Sequence, residues 1–164
     1  MIVIADASPL HYLILVQAVD VLPRLFQRVL IPDEVCSELR HIHAPAEVQR
    51  WIAAPPLWLD VRSVAAAASS AIPDLDAGEE AAIRLAEQLG GAAFLLMDAA
   101  KGRREATRRG IPSTGTLGVL QAGSKNGYLL LRDVLPRLLQ TNFYIAPGIA
   151  ESLILEEQSR SGSN

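Results

Sequence analysis

Short apolar runs alternate with longer segments of helical periodicity along most of the chain, and turn or helix-start residues punctuate them. Ile2, Val3 and Ile4 are β-branched and predict one buried strand over residues 2–4. Ser8 as N-cap and Pro9 at the first helical position predict a helix over 9–16, with a second over 19–26. Residues 28–31 read as a strand, and Pro32 opens a helix with Asp33 and Glu34 in its first turn, where the dipole favours acids. Pro45 starts a helix through residue 53 that Pro55-Pro56 ends, and 58–61 read as an edge strand. Residues 65–73, mostly Ala and Ser, carry the weakest pattern, a helix or a mobile connection. The clearest helix spans 76–89 and stops at Gly90-Gly91. A buried strand over 93–97, a basic helix to Arg109, a short strand over 111–113 and a helix over 116–125 follow. The remainder is helical, ending in a frayed polar tail over 158–164.

Strands and helices in this order, with buried strands, predict an α/β fold: a three-layer α/β/α sandwich around a mostly parallel sheet, as a single domain over 1–157. Composition narrows the class. Of 164 residues, half are apolar and a fifth charged, which suits a real core and excludes a disordered chain. A net charge of −3 is too small to mark a nucleic-acid binder by bulk electrostatics, although a metal can reverse the sign of an acidic site locally. Cys36 is the only cysteine, and no basic segment precedes the opening apolar run, so the expected location is cytoplasmic. The later apolar runs are interrupted before membrane-spanning length, so no membrane partner is expected.

The candidate chemistry lies in the acids. Asp6 follows the first strand and adjoins a helix start, at the sheet edge where open α/β folds gather ligands. Asp98 repeats that arrangement after Phe94-Leu-Leu-Met97, and either aspartate also fits a turn or N-cap. Within the helix over 76–89, Glu79 shares a face with Ala82, Ile83 and Ala86 and points to the sheet, whereas Glu80 joins Arg84 and Glu87 on the solvated side. Asp76-Ala-Gly-Glu79 also has capping-box spacing. Glu38 falls between Val35 and Ile42 on one side and Glu34 and His41 on the other, a boundary position that suits a solvated acid. Acids gathered at one edge repel each other unless a cation sits among them, and oxygen-only ligation points to Mg²⁺ or Mn²⁺ rather than zinc. A hard divalent ion suits phosphodiester hydrolysis. No covalent nucleophile is evident: Ser8 has no base partner, and Cys36 lies in an apolar helix pattern.

Four segments carry a family resemblance: Ile4-Ala-Asp-Ala-Ser-Pro-Leu10, Ile31-Pro-Asp-Glu-Val-Cys-Ser-Glu-Leu39, Leu75-Asp-Ala-Gly-Glu-Glu-Ala-Ala-Ile83 and Leu95-Leu-Met-Asp98. With Asp6, Glu38, Glu79 and Asp98 in that order, the chain from Met1 to about Lys125 resembles PIN-domain ribonucleases, in particular the VapC-like toxin branch. The resemblance implies an acidic pocket with one or two Mg²⁺ or Mn²⁺ ions, single-stranded RNA as substrate and a small antitoxin protein as partner. It makes Asp6 and Asp98 direct ligands, Glu79 a ligand or an acid beside the ligand set, and Glu38 the group that binds a second metal or positions water. Two departures stand out: Glu79 where many members have Asp, and Met97-Asp98-Ala99 in place of the usual Thr-x-Asp run.

Around these acids, Lys101 and Arg103 are the candidates for phosphate contact, whereas Arg108 and Arg109 suit the helix dipole. Ser8, Thr114 and Thr116 offer hydroxyls to metal or phosphate, with Thr116 also fitting an N-cap. His41 and His43, two residues apart, make a poor zinc pair. Trp51 and Trp58 read as packing or interface residues. Apolar residues 129–131 and 153–155 suggest C-terminal helices that pair two copies as a homodimer. Two other functions compete with the nuclease: a catalytically silent PIN-like partner-binding domain, and an aspartyl-phosphate phosphotransfer protein using Asp6 with Lys101 or Lys125. The second lacks an acid two residues after Asp6, where Ser8 stands.

Overall fold

The computed structural model describes residues 1–65 and 71–162. Five parallel strands form one sheet in the order β3-β2-β1-β4-β5: β1 (Ile2–Ala5), β2 (Val29–Pro32), β3 (Leu59–Arg62), β4 (Ala93–Leu96) and β5 (Ser113–Thr114). The α/β sandwich expected from the alternation is therefore present. The helices are α1 (Ala7–Leu15), α2 (Val21–Phe26), α3 (Asp33–Leu39), α4 (Ala46–Ala53), α5 (Ala77–Leu89), α6 (Ala100–Arg108), α7 (Thr116–Lys125), α8 (Leu131–Leu139) and α9 (Ile149–Ser161).

Strand alternation divides the core in two. Val3, Ala5 and Leu96 pack with α1, α2, α4, α7 and α8, while Ile4, Leu95 and Met97 pack with α5 and α6. Burial on both faces explains why the strands read as continuous apolar runs. The central strand β1 pairs with β2 on one side and β4 on the other, so the chain reverses its direction of sheet growth between β1 and β4. In open α/β sheets the crevice outside the carboxyl ends of such strands is where ligands bind. Asp6 and Asp98 flank it.

Several boundaries move from their expected places. The first helix starts at Ala7 with Asp6 as N-cap, so Ser8 is not the cap. Gly115, not Thr116, caps α7. Helix α9 continues to Ser161, so residues 158–161 are helical rather than a frayed tail. Of the weak segment over 65–73, residues 66–70 lie outside the described residues, whereas Ile72 is buried against α5. The C-terminal apolar residues largely serve the chain's own core. Leu131 is buried, and Leu129, Leu153 and Ile154 pack against the same cluster, which leaves Leu155 as the prominent exposed one at 62%. No described helix is long and apolar enough to cross a membrane.

A buried carboxylate holds the C-terminal helices together. Glu157 of α9 accepts the Leu131 N–H at 2.6 Å and the Arg132 N–H at 3.4 Å, supplying the free amides that open α8. It also accepts the Ser124 hydroxyl of α7, to which Arg160 donates at 3.0 Å. Burial pushes its carboxyl up, but the Leu131, Ser124 and Arg132 hydrogen bonds and the Arg160 charge outweigh that and leave it below the ordinary range. Glu157→Ala is expected to destabilise the chain by about 2–4 kcal/mol in urea unfolding at neutral pH, since buried donors lose their acceptor. Because the folded carboxyl titrates low, this stabilisation is present above the ordinary Glu pKa and is lost as pH falls through the folded value. A loss below about half a kcal/mol, the range of a neutral surface change, would refute the role.

Candidate active site

Asp6 is the most constrained acid in the fold. The end of β1 delivers it to the start of α1, where it has extended N-cap geometry (φ −78°, ψ 169°) without a side-chain capping hydrogen bond. The residue is 4% exposed, and its Oδ1 is a buried oxygen without a hydrogen-bond partner among the described residues. Burial, opposed by the Ala7 N–H and reinforced by the charges of Asp76, Glu38 and Glu79, raises this carboxyl from 3.8 to about 7. Such an oxygen is costly to hold without a proton or a cation.

Gly78 lets two acids approach. A Cβ there would lie 3.1 Å from Asp6 Oδ1 and 3.1 Å from Glu38 Oε2, so the bare Cα of α5 leaves the space between these carboxylates clear. Glu38 stands on α3 at the cleft rim, and burial together with the Asp76 charge raises its carboxyl. Asp76 and Glu79 form the expected capping box: the Glu79 N–H donates to Asp76 Oδ1 at 2.8 Å, and the Asp76 N–H donates to Glu79 Oε2 at 3.2 Å. The box holds Glu79 in the cleft rather than competing with that placement. Its carboxyl is raised by burial and by Asp76 and Glu38, against the lowering effect of the Asp76 N–H. Glu80 pairs with Arg84 outside the cleft, as the helical period requires.

Asp98 is held by hydroxyls. Ser8 Oγ donates to its Oδ2 at 2.6 Å and Thr116 Oγ1 at 2.8 Å, while the Thr116 N–H donates to Oδ1 at 2.7 Å. Three donors against roughly four lone-pair sites leave Oδ1 with capacity for one more partner. Neither Ser8 nor Thr116 is the helix cap that local spacing suggests; both fix this carboxylate, tying α1 and α7 to the end of β4.

Asp6, Glu38, Asp76, Glu79 and Asp98 thus line one cleft of about 460 Å³, together with Ser8, His11, Tyr12 and Asn142 to Tyr144. The other candidates stay outside it. Lys101 is exposed on α6, and Lys125 ends α7; neither lines the cleft, so the lysine partners of a phosphotransfer site are absent from it. Arg103 lines a shallow groove with Arg104 and Arg108, although its guanidinium also approaches Gly115. Thr114 presses its hydroxyl on Gly118 within α7. Arg108 and Arg109 pair with Glu105, and Arg109 also with Glu87. His41 and His43 are exposed and apart from the cleft.

Comparison with protein families adds the decisive observation: the family model DUF3368, described as a PIN domain, matches residues 2–158. The chain is a PIN domain. No curated protein matches it. PIN domains are generally nucleases and typically bind divalent metals. The match extends past Lys125, so α8 and α9 belong to this PIN domain and are not an appendage beyond the resemblance.

The residues present fit a hard divalent ion through the chemistry of the donor set: an orphaned buried Asp6 oxygen and one free Asp98 lone pair open to a cleft with three further acids. Among the described residues, no three Asp, Glu, His or Cys side chains stand close enough to grip one ion unaided. Two features of this PIN domain carry no clear mark in the sequence. Spacing identifies Asp76 only as a cap, yet it faces the cleft. The loop over 140–148 has no periodic pattern, and only the fold brings it beside Tyr12.

Proposed function

We propose that this PIN domain is a divalent-metal-dependent endoribonuclease that hydrolyses phosphodiester bonds in single-stranded RNA, as the toxin of a toxin–antitoxin pair. The observation that carries the hydrolytic reading is the buried, unpartnered Asp6 Oδ1 at the switch point of the sheet, in a cleft shared with four other acids. The toxin reading, with a small antitoxin as partner, rests on the resemblance of the four acidic motifs to VapC-like proteins.

Asp6 and Asp98 would hold Mg²⁺ or Mn²⁺, with Glu79 beside them and Glu38 and Asp76 available to a second ion. Bound there, such an ion supplies Lewis acidity that favours ionisation of water and offsets charge on phosphate oxygens. The chain's own groups do the rest. Ser8 and Thr116 keep Asp98 oriented so that little reorganisation accompanies binding. Glu38 Oε2, across Gly78 from Asp6, would take a proton from water as it adds to phosphorus, and the sugar oxygen would pick up a proton from solvent as its bond to phosphorus breaks.

The test is cleavage of labelled single-stranded RNA with Mn²⁺, with EDTA and with Asp98→Asn. Cleavage is expected with Mn²⁺ alone, and the variant, checked for native circular dichroism, should lose at least about a hundredfold in rate. Cleavage that survives EDTA, or a folded variant of natural activity, would overturn the proposal. Mn²⁺ uptake without turnover would instead make the chain a silent, partner-binding PIN domain.

A further inference from the structure

Part of the cleft lining is aromatic. Tyr12 of α1 stands edge-on to His11 on one side and to Phe143 on the other, with ring centroids 4.7 Å and 4.9 Å away. Its hydroxyl donates to Asn142 Oδ1 at 2.7 Å. The loop is fixed from behind as well: Thr141 Oγ1 donates to the Leu138 carbonyl at 2.6 Å and accepts the Phe143 N–H at 3.1 Å. These anchors hold Asn142 and Phe143 against α1 and present the next residue, Tyr144, at the cleft mouth. Tyr144 is 79% exposed, lines the same cleft as Asp6 and Asp98, and takes part in no ring contact among the described residues.

A single exposed tyrosine is ordinary on a protein surface. This one differs because anchored neighbours fix the backbone that carries it and because it lines the same cleft as five acids. A ligand spanning such a cleft needs an anionic group for the cation and a flat apolar group for the ring. A nucleotide carries both, and a volume of about 460 Å³ lies within the range of small-ligand sites. We infer that Tyr144, carried on a backbone that the Asn142 and Phe143 contacts with Tyr12 hold in place, is a stacking shelf for an unpaired base next to the phosphate held at the acids. The inference rests on the nuclease reading for the position of the phosphate and adds the base subsite. It also gives a physical reason for single strands: a paired base already has both faces stacked and cannot lie on the shelf.

The test is fluorescence anisotropy with a short single-stranded RNA and Mn²⁺, in the full chain carrying Glu38→Gln so that the strand stays whole while Asp6 and Asp98 remain to hold the ion. Adding Tyr144→Ala is expected to weaken binding by about ten- to a hundredfold, whereas Tyr144→Phe and Tyr144→Trp stay within about twofold. An abasic site at the contacted position should erase the difference in affinity between the chain that keeps Tyr144 and the one carrying Tyr144→Ala, which a merely structural role would not do. Equal affinity for Tyr144→Ala, or the same loss on duplex RNA, overturns the shelf. Cleavage by the natural chain is followed in parallel. Cleavage with a neutral Tyr144→Ala retires the shelf and keeps the nuclease; Tyr144-dependent binding without any cleavage does the reverse. A natural chain that neither binds nor cuts the strand overturns both.

Discussion

Above neutral pH and without divalent metal, Asp6→Asn melts at a higher temperature than the natural chain, and with Mn²⁺ its RNA cleavage falls by at least about a hundredfold. The physical reason is the placement of the carboxylate. Burial, partly relieved by the Ala7 N–H and deepened by Asp76, Glu38 and Glu79, raises the folded pKa from 3.8 to about 7. The native state therefore holds this proton more tightly than the unfolded chain does. Ionisation penalises the fold: the penalty is absent below about pH 4, grows between about pH 4 and 7, and is complete above about pH 7. A shift of roughly three units sets a ceiling of about 4 kcal/mol. An amide removes the charge but still needs its own hydrogen bonds, so the expected gain is about 1–3 kcal/mol, roughly 3–10 °C for a chain of this length. Near pH 4 the two proteins should melt together, because Asp6 is then already neutral. Excess Mn²⁺ should stabilise the natural chain and leave the variant little changed, since only the former offers the charged ligand. An unchanged or lower melting temperature for the variant above neutral pH, in scanning calorimetry, would contradict the claim that Asp6 is held at a cost to the fold.

The same residue shows how far the sequence can be read. Asp6 and Asp98 are legible because each ends an apolar run too short for anything but a strand, and parallel strands in this order must bring their carboxyl ends to one edge. Glu79 is legible through the helical period, which separates it from Glu80. Glu38 is not decided by its neighbours. Its place at the rim depends on how α3 packs against α5, with a glycine at the point of closest approach. Ser8 and Thr116 stand out as residues but not in their role, since an N-cap reading uses only local spacing, whereas their partner Asp98 lies 90 and 18 positions away. The aromatic wall is out of reach for the same reason. Asn142 meets Tyr12 across 130 residues, and nothing periodic marks the loop that carries it.

Gly115→Ala is expected to abolish most activity while leaving the fold nearly as stable as before. The backbone at Gly115 (φ −105°, ψ −170°) is extended and open to any residue, so alanine brings no conformational strain. Its Cβ, however, would lie 2.6 Å from Asp98 Oδ1, well inside contact distance. A freely rotating carboxylate would step aside. Asp98 cannot do so cheaply, because Ser8 and Thr116 hold Oδ2 and the Thr116 N–H holds Oδ1. Either those hydrogen bonds break, at about 1 kcal/mol each, or α7 shifts away from β4. In both cases the one lone pair left for a ligand changes direction, and a displacement on the order of 1 Å in a positioned group can remove about a hundredfold in rate. Cleavage of single-stranded RNA and Mn²⁺ affinity should therefore fall together, with unfolding free energy down by only about 1–2 kcal/mol. Gly110→Ala provides the comparison: its Cβ would meet nothing within 4 Å, but φ is +74°, so it should lower stability without touching activity. Natural activity in Gly115→Ala would show that Asp98 is free to move, and the cleft would then lack the fixed carboxylate that the proposed hydrolysis requires.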